Sequence, residues 1–234
     1  MKKLRSKLKG VEGGKVLDVA TRDGAFIMKL KDGLKSYTEI IGIDNDEEII
    51  EKNNKTNTYP NIKYLVMDAE NMDFEDNTFD MVCMSNTLHH LPNKNKMLSE
   101  MKRVLKPGGI FIISELFSEE QSPAQMTHVM LHELGGLIDT LLGEHHSKTL
   151  KKQETIDLIK NMGIQIDEIF EDYETDEGIH KRLIERVHKL PQKVAKIKDY
   201  PEFDKFMKMA EDVKKNFDNF GIERSTQLVI MGRL

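Results

Sequence analysis

Apolar positions along the chain fall into two alternating periods. Short dense runs occur at Val16–Val19, Glu39–Asp44 (EIIGID), Ile62–Met67 (IKYLVM), Phe79–Met84 (FDMVCM) and Ile110–Ile113. Each is short and apolar enough for a strand, the first two for buried ones. Between them the spacing changes to the helical one, over Ala25–Lys31, over DEEIIEKNN, and at Met97, Leu98, Met101, Val104 and Leu105. Such alternation predicts an α/β chain with an open, mostly parallel sheet and helices on both faces. Helices are also predicted over 119–143, with Gly135-Gly136 as a weak point, and over Lys152–Met162. Ile164–Phe170 then alternates as a strand with one wetter face, and Ser225–Met231 is a seventh strand suited to lie antiparallel beside it. Leu4 and Leu8 mark a short amphipathic helix that docks on the domain.

From Gly178 the alternation lapses into two helical stretches, 178–198 and 202–219, separated by Tyr200-Pro201. This predicts a domain formed by 1–177 and 220–234, with 178–219 inserted before the last strand as a helical lid. One face of the insertion carries Lys181, Arg182, Arg186, Lys189 and Lys193, read as an outward basic surface; Leu183, Ile184 and Val187 lie on another.

Three of the predicted strands end in an acid: Asp18, Asp44 and Asp68. Ligands of open α/β sheets sit beyond the carboxyl ends of the strands, where a tight turn and a helix N-terminus present free N–H donors. The stretch VLDVATRDG, Val16–Gly24, is such a strand and turn, with the helix AFIMKL behind it. From Gly24 to Asp44 is the roughly 20 residues at which a β-α-β nucleotide site places the carboxylate that holds a ribose. Asn45, with Glu48 three residues on, reads as the cap of the next helix. Asp68, followed by Ala69, can accept the exocyclic amine of a purine. The nicotinamide alternative needs G-x-G-x-x-G, and here Gly24 stands alone.

The strand-end acids, the turn Pro107-Gly108-Gly109 before strand five and the late insertion together resemble the class I S-adenosylmethionine-dependent methyltransferases over nearly the whole chain. FDMVCMSNTLHHL and KRVLKPGG are most similar to the small-molecule branch that acts on quinones and sterols. The resemblance implies a Rossmann-like fold and S-adenosyl-L-methionine as cofactor. It implies that Asp18, Ala20, Arg22 and Gly24 cradle the methionine end, Asp44 and Asn45 the ribose, and Asp68 and Ala69 the adenine, with Asn86 beside the cofactor. Ala20 and Arg22 stand where the family carries glycine, which puts close backbone approach and a positive φ in question there. Arg22 has two readings, a partner for the methionine carboxylate or a solvent-facing side chain. The implied reaction is methyl transfer to a small-molecule acceptor; the alternatives are a tRNA methyltransferase and a non-catalytic module that binds the cofactor.

Composition narrows the setting. A formal net charge of -5 over 234 residues disfavours wholesale nucleic-acid binding. The single Cys83, inside an apolar run, fits a core thiol in a reducing cytoplasm. No apolar run approaches membrane length. Histidines are the candidate bases: His90, from the pair His89-His90 after strand four, and His128 with His132, one helical turn apart. His128, His132, His145 and His146, with Glu115 or Glu133, raise the question of a zinc-like metal. A polar wall for the acceptor pocket is the competing reading, and no residue is assigned as a metal ligand.

Overall fold

The computed structural model describes every residue from Met1 to Leu234 except Pro92, Glu144 and Thr175. The most apolar runs take the centre of one sheet. In β1 (Lys15–Val19) every residue from Val16 on is buried, and β1 pairs in parallel with β2 (Glu39–Asp44) on one side and β4 (Phe79–Ser85) on the other. Val19 thus lies between Ile43 and Met84. With β3 (Ile62–Val66), β5 (Leu105–Leu116), β6 (Gln165–Asp172) and β7 (Gln227–Arg233), the order across the sheet is β3-β2-β1-β4-β5-β7-β6. Pairing is parallel from β3 to β5, and β7 runs antiparallel to both β5 and β6. The two edge strands, β3 and β6, are also the wettest, because an edge faces solvent that a central strand never meets.

Several boundaries differ from those the sequence predicts. β5 begins at Leu105, which pairs with Phe79; the register then breaks around Pro107-Gly108-Gly109 and resumes at Ile110 opposite Met81. β7 starts at Gln227, two residues late, since Ser225 is engaged by the His128 side chain. Helix α3 (Glu47–Thr56) is capped by Asp46, which accepts from Ile49 N at 3.0 Å, and Asn45 is exposed. The reason lies next door: Asp44 Oδ1 accepts from Asp46 N at 3.1 Å and sets Asp46, not Asn45, in the extended cap conformation.

Helix α1 (Lys2–Leu8) docks through fully buried Leu4 and Leu8, near α2 (Ala25–Gly33), and Asp172 accepts from Leu4 N at 2.8 Å. Helix α4 (Lys94–Val104) is capped by Asn93, and α6 (Lys152–Asn161) precedes β6. Two cores cover the sheet. Cys83 is buried in one of them, where burial pushes its thiol well up, as befits an inert core thiol.

A third core is shared by three helices. Helix α5 (Pro123–Leu141) contributes Leu131, Leu134 and Ile138, α7 (Glu177–Ala195) Leu183, Val187 and Leu190, and α8 (Phe203–Phe220) Phe206 and Val213. Helix α5 therefore packs as one unit with the pair predicted as an insertion, and the three helices together are called the lid. Asn216 Nδ2 donates to Thr127 Oγ1 at 2.7 Å, and Lys193 pairs with Asp139 at 2.7 Å, tying α8 and α7 to α5. Helix α5 runs unbroken through Gly135 and Gly136, starting from a capping box in which Ser122 and Gln125 exchange bonds. No described helix is long and apolar enough to cross a membrane.

Because the lid core is separate from the sheet cores, Ile138→Ala should cost about 2–5 kcal/mol of lid stability. Amide hydrogen exchange should show lost protection in α5, α7 and α8 while β1 and β4 keep theirs; equal loss in the sheet would show one cooperative unit.

Candidate cofactor edge and histidine cluster

The strand order reverses between β1 and β4, the switch point at which an open α/β sheet forms its ligand crevice. The turn after β1 is built by hydrogen bonds to its neighbours. Thr21 N donates to Ile43 O at 2.8 Å, and Arg22 N donates to Asp44 Oδ2 at 2.9 Å. The turn has the conformation glycines would take: Ala20 is at φ 53, Arg22 at φ 49 and Gly24 at φ 72. The positive φ thus survives at both substituted positions. At Gly24 a side chain is excluded outright, since a Cβ there would stand 2.5 Å from the Tyr64 hydroxyl. Gly24 has no side chain to cap α2, and Asp23 Oδ1 accepts from Ala25 N at 3.2 Å, so the N–H groups beyond Ala25 in the first turn are those open to a ligand.

The predicted acids gather on this edge in three different environments. Asp18 is buried; Thr21 Oγ1 donates to its Oδ2 at 2.7 Å, and its Oδ1 has no partner. Burial pushes this carboxyl up to about 7, against the pull of the Thr21 bond. Asp44 is half-buried, and Asp68 is exposed and accepts from Glu70 N at 2.8 Å. Ala69 packs against the core beside them. Asn86, at the end of β4, is at φ 52 and donates from N to Ser114 O at 2.9 Å. Arg22 is exposed, yet its charge reaches across to the lid. After partial desolvation, Arg22 is the largest influence pushing the Arg186 guanidinium of α7 down.

The histidines sort differently from the sequence reading. His128 Nδ1 accepts from Ser225 N at 3.1 Å and lies 2.9 Å from Ser225 Oγ, so it joins α5 to the start of β7. Burial, then Arg186 and Arg224, push it down to about 3, so it is neutral. His145 is exposed, and neither it nor Glu133 joins the group that forms. That group is His89, His90, His132 and His146, one potential ligand atom from each lying within 4.8 Å of all the others. His89 is buried at 2% exposure, with Nδ1 3.0 Å from Glu115 Oε1. Glu115, itself buried, accepts from the backbone N of Thr87 and Leu88 through Oε2. Burial followed by the His89 and His146 rings pushes His132 down to about 2, and the same causes lower His90.

Comparison with known proteins fits this geometry. The profile of a family described as "Methyltransferase domain" matches residues 11–221. The chain belongs to this methyltransferase-domain family. A curated relative, the demethylmenaquinone methyltransferase of Staphylococcus aureus, is 38% identical over 105 residues; the match covers 44% of this chain and 44% of the relative, so the chain spans less than half the length of that relative. A SAM dependent methyltransferase from Aquifex aeolicus is 26% identical, with a TM-score of 0.51 over 70% of this chain and 79% of its own. The YcgJ protein of Bacillus subtilis shares the fold, with a TM-score of 0.63 at 17% identity, over 99% of this chain and 96% of the other.

Within the family frame, Asp18, Ala20, Arg22, Gly24, Asp44 and Asn86 meet around the crevice, and Asp68 with Ala69 stands at its β3 side. Asn45 is on the same edge but without the capping role. Sequence reasoning missed His89 as a separate element and missed Glu115 as its partner. A signal existed: Ser85 pairs with Ser114 across β4 and β5, which places Glu115 next to the loop carrying the His pair.

Two outcomes test the turn. Ala20→Gly should stabilise the protein by about 0.5–1 kcal/mol in urea denaturation, since a left-handed alanine costs roughly 1–2 kcal/mol and glycine returns only part of that as unfolded-chain entropy. For Asp18, the unfolded carboxyl releases its proton near pH 4 and the folded one holds it to about 7. Wild-type stability should therefore fall relative to Asp18→Asn as pH rises through that window, by up to about 4 kcal/mol. Parallel melting curves for the two proteins from pH 4 to 8 would refute the assignment.

Proposed function

We propose that this chain is an enzyme that binds S-adenosylmethionine across the carboxyl ends of β1, β2 and β4 and transfers its methyl group to a small-molecule acceptor held under the lid. The observation that carries the reading is the edge itself: a positive-φ turn, a helix that begins at a glycine without a side-chain cap, and a buried carboxylate oxygen, Asp18 Oδ1, that lacks a partner. A cation suits that oxygen, and the cofactor's methionine end carries an ammonium. Asp44, already fixed by Arg22 N and Asp46 N, retains acceptor capacity for ribose hydroxyls. Asp68 and Ala69 would border the adenine, and Asn86 would lie beside the cofactor. Arg22 and Arg186 repel each other across the crevice, and neither has a carboxylate within ion-pair distance among the described residues. An anion between them, the cofactor's carboxylate or an acidic acceptor, relieves that repulsion.

When bound, the cofactor supplies an electrophilic methyl on a sulfonium, so the protein's task is alignment and exclusion of water. The lid of α5, α7 and α8 serves the second purpose. His90 and His132, neutral at pH 7, are the candidates to take a proton from the acceptor; His128 is spent on Ser225. The small-molecule class is supported by the curated quinone methyltransferase relative, and a cytoplasmic setting by the buried lone thiol.

Calorimetric titration should show S-adenosylmethionine and S-adenosylhomocysteine binding and NAD failing to bind. Turnover against a panel of quinones, acidic phenols and tRNA then separates a small-molecule enzyme from a tRNA methyltransferase or a non-catalytic module. Asp44→Ala should weaken cofactor binding by about 1.5–3 kcal/mol, the range for hydrogen bonds to a charged group. Unchanged affinity in the folded variant would remove Asp44 from the site. Cofactor binding near pH 7 should release a proton as Asp18 ionises beside the cation, and that release should vanish in Asp18→Asn. Titrations in buffers of differing ionisation enthalpy read it directly.

A further inference from the structure

We infer that His89, His90, His132 and His146 form a binding site for one divalent transition-metal ion, of the zinc, cobalt or nickel type, that fastens the lid to the ligand edge of the sheet. The inference stands on the cluster and does not require the methyl-transfer reading; a bound ion would take the lone pairs of His90 and His132 and so remove them as acceptor bases. Two ligands, His89 and His90, follow β4; His132 projects from α5, and His146 lies in the segment that returns from α5. The His89 ring centroid is 4.3 Å from that of His90, 4.6 Å from that of His132 and 5.0 Å from that of His146.

Only weak edge-to-face ring contacts draw the four imidazoles to one another. The polar atoms they bury make the arrangement more specific. His89 Nε2 and His132 Nδ1 are both buried and lack any hydrogen-bond partner. The other nitrogen of His89 faces Glu115, whose remaining oxygen is held by two backbone N–H groups. A carboxylate there takes the proton on Nδ1 and leaves the Nε2 lone pair free, the tautomer a metal ligand requires. Neutral imidazoles are the preferred ligands of zinc and its neighbours in the first transition row. Zinc–nitrogen bonds of about 2.0–2.1 Å in a tetrahedron place ligand atoms about 3.4 Å apart. From separations within 4.8 Å, closing requires shifts of about an ångström and no change of fold.

The backbone is arranged around the same point. A Cβ on Gly136 would stand 2.1 Å from His146 Nδ1, so this helix position has to be glycine for the His146 ring to lie against α5. Ser147 N donates to His89 O at 2.6 Å, and Thr140 Oγ1 donates to His146 O at 3.1 Å. The segment carrying His146 is thereby pinned both to the loop after β4 and to the lid helix. His90, the exposed member, is the ligand most readily exchanged for a donor atom of a bound molecule.

The test uses the full chain freed of metal with a chelator and titrated with Co²⁺, then with Zn²⁺ in competition. One Co²⁺ per chain is expected, with the intense visible ligand-field bands of a tetrahedral nitrogen site, bleached by Zn²⁺. His132→Ala and His146→Ala should each weaken binding at least 100-fold, and Glu115→Gln, which acts through His89, by 10- to 100-fold. His188→Ala, a lid histidine lying against Phe217, should stay within about threefold of wild type. Zn²⁺ should also slow amide exchange in α5 of wild type and not of His132→Ala. Absence of stoichiometric Co²⁺ binding, or wild-type affinity in both His132→Ala and His146→Ala, would overturn the site. Titration of the metal-free protein with S-adenosylmethionine reports on the cofactor edge alone, so the failure of either reading is told apart from the failure of the other.

Discussion

Asp44 accepts from Arg22 N with one oxygen and from Asp46 N with the other, so a single carboxylate at the end of β2 shapes the turn after β1 and the start of α3 together. A turn carrying two non-glycine residues at positive φ is strained on its own. Here the strain is offset by what surrounds it: Thr21 N bonds to Ile43 O, Asn53 Nδ2 donates to Arg22 O at 2.5 Å, and Thr21 bonds to Asp18. Parallel pairing of β1 with β2 is the condition for all of these, because it brings the ends of both strands to one edge in register. The crevice is therefore a consequence of the sheet order, and its acids are structural elements before any ligand arrives.

The same edge concentrates electrostatic cost. Asp18 is buried with one oxygen unpartnered, and the charge of Arg22 adds to burial in pushing the Arg186 guanidinium of α7 down. In a protein interior such groups persist when the fold over-determines them and a ligand uses them. Under the proposed function, the ammonium and the carboxylate of one cofactor's methionine end would answer both demands. Around this point α5, α7 and α8 keep their own core, joined to the start of β7 by His128 with Ser225 and by Gln125 Nε2 donating to Thr226 Oγ1 at 3.0 Å. Helices with an independent core can open as a unit without unpacking the sheet.

The histidine cluster follows from this construction. Its members come from the loop after β4, the middle of α5 and the segment beyond it, and only the docking of α5 over the β4 edge brings them within reach. Gly136, which as a helix residue looks like a defect, makes room for the His146 ring, and the helix tolerates it because the lid core on its other face supplies the stability.

The sequence by itself determined the fold. Dense apolar runs at Val16, Ile40, Met81 and Ile110 demand burial on both faces, and that demand selects a parallel sheet whose strand-end acids must share one edge. It determined the candidate cofactor edge for the same reason: Asp18, Asp44 and Asp68 are local punctuation, readable from the residue that ends each strand. Helix caps and strand ends were legible only to within a residue or two, because Asp46 outcompetes Asn45 through a bond from Asp44, and β7 starts late through a bond to His128; both are neighbours in space. Tertiary structure alone decided that Ala20 and Arg22 keep a glycine conformation, since the bonds offsetting that strain come from β2 and α3. It alone decided which histidines meet. His128 and His132 share a helix face in sequence, yet a side chain's partner is set by what packs opposite it, and the docked lid places Ser225 against one and His89 against the other.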